Sequence, residues 1–361
     1  MTRDSVLPPD RCKGRAAASN ESGRFERFKR VSVSDGWDRE EDLPPLRTEV
    51  RLEHAKSVIT RNASPDIPFD RSINPYQGCE HGCIYCFARP SHAWLGLSPG
   101  LDFETQLTAK PNAAERLVRE LRHPRYRPRT IAIGTNTDAY QPIEREHRIM
   151  RGILEVLQAF QHPVGIVTKG TLIERDVDIL GPMGQAGLTR VGISVTTLQA
   201  DLARRMEPRV PSPARRLRTI EGLAKAGVPV RIMASPLIPG LTDHELEAIL
   251  AAGRRAGAVA AGTIPLRLPR EVAPLWQNWL AEHYPDRMGR VMSKIRDMHG
   301  GRDYDPEWGR RMTGQGVWAD LIRKRFARAI RNLGLVHRLP ELRTDLFQVA
   351  GKGGGQLDFA F

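Results

Sequence analysis

Cysteine is scarce in this 361-residue chain: there are four, and none lies between Phe87 and Phe361. So low a count in so long a chain excludes a disulfide-stapled scaffold. Long apolar runs are missing too. The Ala-rich stretch from Ile249 to Leu266 is interrupted by Arg254 and Arg255, whereas a bilayer span needs about 20 predominantly apolar residues. Met1-Thr2-Arg3-Asp4-Ser5 is followed by prolines and charges rather than an apolar signal core, so a cytoplasmic protein with reduced thiols and no membrane partner is expected. Lysine is rare, at nine residues in a basic total of 55. With 42 acidic residues the net charge is +13. Such an excess suits nucleic acid, phosphorylated ligands or an acidic electron carrier. The clusters Arg204, Arg205, Arg209, Arg215, Arg216, Arg218 and Arg323, Lys324, Arg325, Arg328, Arg331 are equally consistent with solvated helix faces.

What cysteine there is stands together. Cys79, Cys83 and Cys86 form C-x3-C-x2-C within Gly78–Phe87. A structural zinc site is closed by four ligands, and a cubic iron–sulfur cluster usually takes four thiolates. Three thiolates from one loop leave one iron open, the vacancy a catalytic metal needs to hold a substrate. Two other readings remain. His81 or the distant Cys12 could complete a zinc site in a nucleic-acid-binding protein, or the loop could carry a cluster that serves only as a binding or electron-transfer module.

The residues around the triplet carry a resemblance. Ile73-Asn74-Pro75-Tyr76 before it and Tyr85-Cys86-Phe87-Ala88-Arg89 across its end resemble the radical S-adenosylmethionine (SAM) superfamily, in its branch related to spore photoproduct lyase. The resemblance implies a [4Fe–4S] cluster on Cys79, Cys83 and Cys86, and Cys12, in a polar, Arg-rich leader, reads as a spectator. The resemblance also implies SAM on the open iron, Tyr85 near the adenine, and reductive cleavage to a 5′-deoxyadenosyl radical. Reduced flavodoxin or ferredoxin would be the electron donor.

Along the chain, residues 1–68 read as an irregular leader, with Pro8-Pro9 and Asp42-Leu43-Pro44-Pro45 and a short helix near Glu49–Ile59. Strands and helices alternate over residues 69–268. The runs 130–134, 164–168, 189–195, 228–233 and 259–268 predict strands, and helices are predicted at 144–160, 198–206 and 214–226. Thr171/Glu174 and Thr242/Glu245 have capping-box spacing. This succession predicts an α/β fold with a parallel sheet, and the resemblance implies an open (β/α)6 partial TIM barrel. Residues 269–361 read as a helical C-terminal extension, with Trp276 and Trp279 as core and Gly351–Gly355 as a flexible linker.

In parallel α/β folds functional groups collect at the carboxyl ends of strands. Polar residues recur there. Thr135, Asn136, Thr137 and Asp138 stand where the superfamily holds the SAM amino group, although the Gly-Gly-Glu form of that contact is absent. Lys169 can pair with the SAM carboxylate as a point charge. Ser194 and Thr196 are candidates for ribose or carboxylate, and Arg209 for an anion. Ile238 and Gly240 resemble the segment along the adenine. Tyr76, His81, His92, Tyr140, Gln141, Glu144, Arg145 and Arg267 are candidates to face substrate, Tyr140 as a hydrogen-atom donor. The lyase uses a cysteine beyond its cluster motif for that donation, and this chain has none after Cys86. Nucleic acid is the expected substrate class, with a reaction differing from the lyase in this step.

Overall fold

The β-branched and apolar runs of this sequence become ten strands in two sheets among the described residues, which in this computed structural model are 12–26 and 46–349. The sequence readings at Pro8-Pro9, Asp42–Pro45 and the Gly-rich tail lie outside the described residues. The strands are β1 (Glu49–Leu52), β2 (Ile59–Arg61), β3 (Arg71–Ile73), β4 (Tyr76–Gln77), β5 (Gln106–Ala109), β6 (Ile131–Ile133), β7 (Val164–Thr168), β8 (Thr189–Ser194), β9 (Val230–Leu237) and β10 (Ala260–Pro265).

The larger sheet has the order β10-β9-β8-β7-β6-β3-β2. Its six strands from β3 to β10 are parallel and stand in chain order, and β2 is antiparallel to β3 at the edge. The succession of strand and helix therefore yields the mixed α/β fold with a parallel sheet. Ile73, Ile133, Ile166, Ile193 and Ile232 are fully or almost fully buried, as expected for strands covered on both sides. Helices return the chain between strands. The one over Ala113–Leu121 buries Ala113, Ala114, Leu117, Val118 and Leu121, the i, i+4 spacing of a single apolar face. Three further helices, Val272–His283, Pro285–Met298 and Gly316–Leu333, follow the last strand. Trp276 and Trp279 stack at 5.0 Å in their core, and Val336 then bridges back onto Ala260 of β10.

Four local expectations fail, each because a distant partner prevails. Residues 49–59 form no helix; β1 pairs with β5, and Glu120 takes the Val58 and Ile59 amides. The predicted 144–160 helix is two, Glu144–His147 and Ile149–Ala159, parted at Arg148 with φ 51°. There the Glu144 carboxylate turns inward and accepts from the Met150 amide and from Tyr76 and Arg175. Neither capping box forms. Glu174 instead binds Arg215 through both oxygens, at 2.5 and 2.7 Å. Glu245 accepts from Thr197 and the Leu198 amide, while Thr242 accepts from Ile238 N.

Candidate active site at the strand ends

The cysteine loop leaves β4 immediately past the carboxyl end of β3. Its backbone is a chain of tight turns: Gly82 N donates to Cys79 O, Cys86 N to Cys83 O and Arg89 N to Cys86 O, at 3.1–3.2 Å. Gly82 has φ +63°, and a Cβ there would lie 2.5 Å from the Glu104 carboxylate, so only glycine permits that approach. Arg89 is completely buried and donates to Cys83 O, Gly82 O, Pro99 O, Gly100 O and Glu104 Oε1. Gln141, reaching from the loop after β6, accepts from Glu80 N at 2.7 Å and donates to Gly78 O. Glu104 also takes the amides of Ala16 and Ala17, and Arg15 donates to Glu104 O. The 12–26 segment is thus strapped over the loop rather than free of it. Cys12 is buried in the apolar cluster that includes Cys83 and Tyr85.

All three loop thiols are free, Cys79 and Cys83 buried and Cys86 half-buried. Burial pushes the Cys79 thiol up, with the Asp138 charge and its sister thiols adding to the effect. Burial pushes Cys83 up to about 12, against the pull of Lys169. Among the described residues no three His, Cys, Asp or Glu side chains are arranged to hold a single metal ion.

The Lys169 ammonium lies within the electrostatic reach of Cys83 and Cys86. Burial works against its charge, yet Cys83, Glu207, Cys86 and Asp138 together raise its pKa. It lies 5.6 Å from the centroid of the Tyr85 ring and makes no ion pair among the described residues. The Tyr85 hydroxyl donates to Glu207 and lies 3.1 Å from Thr196 Oγ1, which donates to Glu207 at 2.9 Å. Arg216 completes the group, with Nη2 on Glu207 at 2.5 Å. Despite its burial, Glu207 is held below its ordinary pKa by Arg216 and Lys169.

Asp138 is the second carboxylate of the rim, its side chain 12% exposed. It accepts from Thr168 Oγ1 at 2.6 Å, Lys169 N at 2.8 Å and Tyr140 N at 2.9 Å, and His81 Nδ1 lies at 3.3 Å. Burial opposes its charge, but His81 and these donors hold it well below the usual carboxylate range. Beside it Gly134, with φ +85°, passes so close to Val167 O that a Cβ would overlap it at 1.9 Å.

The other sequence candidates divide by what they touch. Thr137 donates to Tyr76 O, and the buried Tyr140 hydroxyl donates to Asp176. Tyr76 is bonded to Glu144, and His92 Nε2 lies against Gln106 O at 2.9 Å. Arg209 is paired with Glu80. Thr135, Asn136 and the Ser194 hydroxyl make no side-chain hydrogen bond among the described residues, and Asn136 and Arg145 are exposed. Ile238 is buried in the cluster containing Cys83 and Tyr85. Gly240 borders a cavity of about 500 Å³ also lined by Gln199, His244, Asp286, Arg287 and Arg290.

The sequence model of the radical SAM superfamily matches residues 73–252, which hold the cysteine loop and all the rim residues just described up to Gly240. The chain belongs to the radical SAM superfamily. An uncharacterized protein of Mycobacterium tuberculosis is 37% identical over 278 residues, 76% of this chain and 80% of the relative. One from Methanocaldococcus jannaschii is 28% identical over 199 residues, 55% and 71% of the two chains. Among solved structures, a spore photoproduct lyase mutant with bound AdoMet and dinucleoside spore photoproduct overlays with a TM-score of 0.57. That overlay covers 80% of this chain and 81% of the lyase at 15% identity, a likeness of fold. This radical SAM protein is accordingly an enzyme whose cofactors are a [4Fe–4S] cluster and SAM, and which works with a reductant. No helix among the described residues is long and apolar enough to cross a membrane.

Glu207, Arg216 and Glu104 are the site residues that sequence reasoning missed. Arg216 stands in an arginine run that reads as a solvated face, yet it is 1% exposed. A glutamate two residues before the candidate Arg209 was the one available signal for Glu207.

Proposed function

We propose that Cys79, Cys83 and Cys86 hold three irons of the cluster and leave the fourth for SAM, at the carboxyl-end mouth of an open (β/α)6 partial barrel spanning residues 69–268. The observation that carries this reading is that one loop bears three free thiols, of which Cys83 and Cys86 act electrostatically on the Lys169 ammonium beside Tyr85, a cation with no ion pair among the described residues. When bound, the cluster would supply the electron for reductive cleavage of the SAM sulfonium.

The protein's part is placement. Lys169 offers its charge to the SAM carboxylate, and Asp138 fixes Lys169 by binding its backbone amide and the preceding threonine. Glu207 and Thr196 hold the Tyr85 ring by its hydroxyl in the apolar cluster shared with Ile238, the side on which we place the adenine. Thr135, Asn136 and Ser194 have polar groups without protein partners among the described residues, free for the amino group and ribose. Arg209 would exchange Glu80 for a cofactor anion. The buried Tyr140 and Thr137 act as supports.

The substrate we favour is nucleic acid. Arg215, Arg216, Arg323 and Arg325 are ion-paired within the protein. The cavity bordered by Gly240 carries Arg287 and Arg290 instead, at the same rim as the thiols. We place the reaction in the cytoplasm with reduced flavodoxin or ferredoxin as donor, and residues 269–361 as the substrate-side extension.

Anaerobic reconstitution with iron and sulfide, then reductant and SAM, tests the core of this proposal. Formation of 5′-deoxyadenosine that is lost in Cys83→Ala is the expected outcome. A preparation that takes up zinc and no iron would return the loop to a structural role.

A further inference from the structure

Two residues past β10, Arg267 lies with its guanidinium carbon 4.2 Å from the centroid of the Phe87 ring. Phe87 directly follows Cys86 and is 44% exposed, so the guanidinium rests on an open platform at the edge of the cysteine loop. Its only hydrogen bond among the described residues is from Nη1 to Met312 Sδ at 3.0 Å, and a thioether is a weak acceptor. The nearby carboxylates are engaged elsewhere. Asp66 binds Arg311 at 2.5 Å and the Gly309 amide at 2.7 Å, and Asp305 is held by Arg310 and the Glu307 amide.

A half-buried cation without a counter-ion is costly, and the other buried arginines of the site are better partnered, Arg89 and Arg216 each by a carboxylate and Arg15 by Glu104 O, Leu46 O and Thr48 Oγ1. A guanidinium lying on an aromatic ring keeps its in-plane N–H fork for a bidentate oxyanion. Arg267 and Met312 also lie outside the residues 73–252 shared with the superfamily, in the part of the chain free to recognise its own substrate.

We propose that Arg267, stacked on Phe87, is an oxyanion clamp that holds a phosphate or carboxylate of the substrate beside the cysteine loop. The inference rests on the reading of that loop as the reaction centre. Its test is titration of the reconstituted protein with inorganic phosphate, followed by 31P line broadening, with acetate in parallel. Saturable phosphate binding is expected, weakened about tenfold or more in Arg267→Gln and partly restored in Arg267→Lys, with Arg119→Gln on the exposed face of the Ala113–Leu121 helix as a control for the general basic charge. Phe87→Leu removes the platform while leaving the charge, and should weaken binding several-fold. It keeps the question answerable if Arg267→Gln misfolds. Saturable acetate binding with the same dependence on Arg267 would make the group a carboxylate. Equal phosphate and acetate binding by wild type and Arg267→Gln would overturn the clamp. Cluster-free Cys83→Ala should bind phosphate with wild-type affinity, so loss of the cluster reading and loss of the clamp are separate results.

Discussion

Two pairs of cations around the cysteine loop are treated in opposite ways. In one pair Arg89 and Arg216 are buried, each with a carboxylate, and Arg89 directs its donors at carbonyls of the loop and its neighbours. In the other Lys169 lies against Tyr85 and Arg267 against Phe87, neither with a carboxylate within ion-pair distance among the described residues. A satisfied cation builds the site, whereas an unsatisfied one waits for a ligand. The contrast separates scaffold from recognition more sharply than burial does, since all four cations are wholly or partly removed from water.

The contrast can be attacked from either side. The largest effect belongs to the loop itself: Cys79→Ala, Cys83→Ala or Cys86→Ala should abolish iron retention after reconstitution, whereas Cys12→Ala should not, as iron and sulfide analysis would show. Arg89→Ala should come next. It strands Glu104 in a fully buried position, a loss of about 3–5 kcal/mol in a denaturant titration, with depleted iron as a consequence. In the pair without carboxylates, Lys169→Ala should leave iron content and melting temperature near wild type while weakening SAM binding about tenfold, measured by calorimetry. A collapse of iron content in that variant would move Lys169 to the scaffold and erase the distinction.

The last effect is a slope of stability with pH. His162, buried against Tyr126 and Phe347 far from the loop in sequence, has its pKa pushed down by burial to about 4. The unfolded chain therefore binds more protons between about pH 6.5 and 4. Its contribution to stability is complete above that window and is lost as the pH falls through it. His162→Gln should flatten this part of the stability profile without altering iron uptake.

The sequence made the alternation of strands and helices legible because each strand is a short apolar or β-branched run bounded by turns, as in Ile131–Ile133 and Val164–Thr168. The cysteine loop was legible for a different reason: its chemistry is written in adjacent residues. What escaped depends on long-range partners. Glu174 and Glu245 have the spacing of helix caps, but an arginine 41 residues on and a threonine 48 residues back claim them. Glu207 reads as one more surface glutamate until Tyr85, 122 residues earlier, is placed over it. Arg216 is indistinguishable from its exposed neighbours until the fold selects it. The Glu144 break and the β1 pairing belong to the same class.

Glu104 binds both Arg89, which holds the cysteine loop, and the amides of Ala16 and Ala17. Strap and loop therefore loosen together. Damage to the metal centre by oxygen would be felt as release of the segment around Arg15, a peptide bond where trypsin could cut. A proteolytic fragment of slightly reduced mass would then report the oxidative history of the protein before any assay of its chemistry.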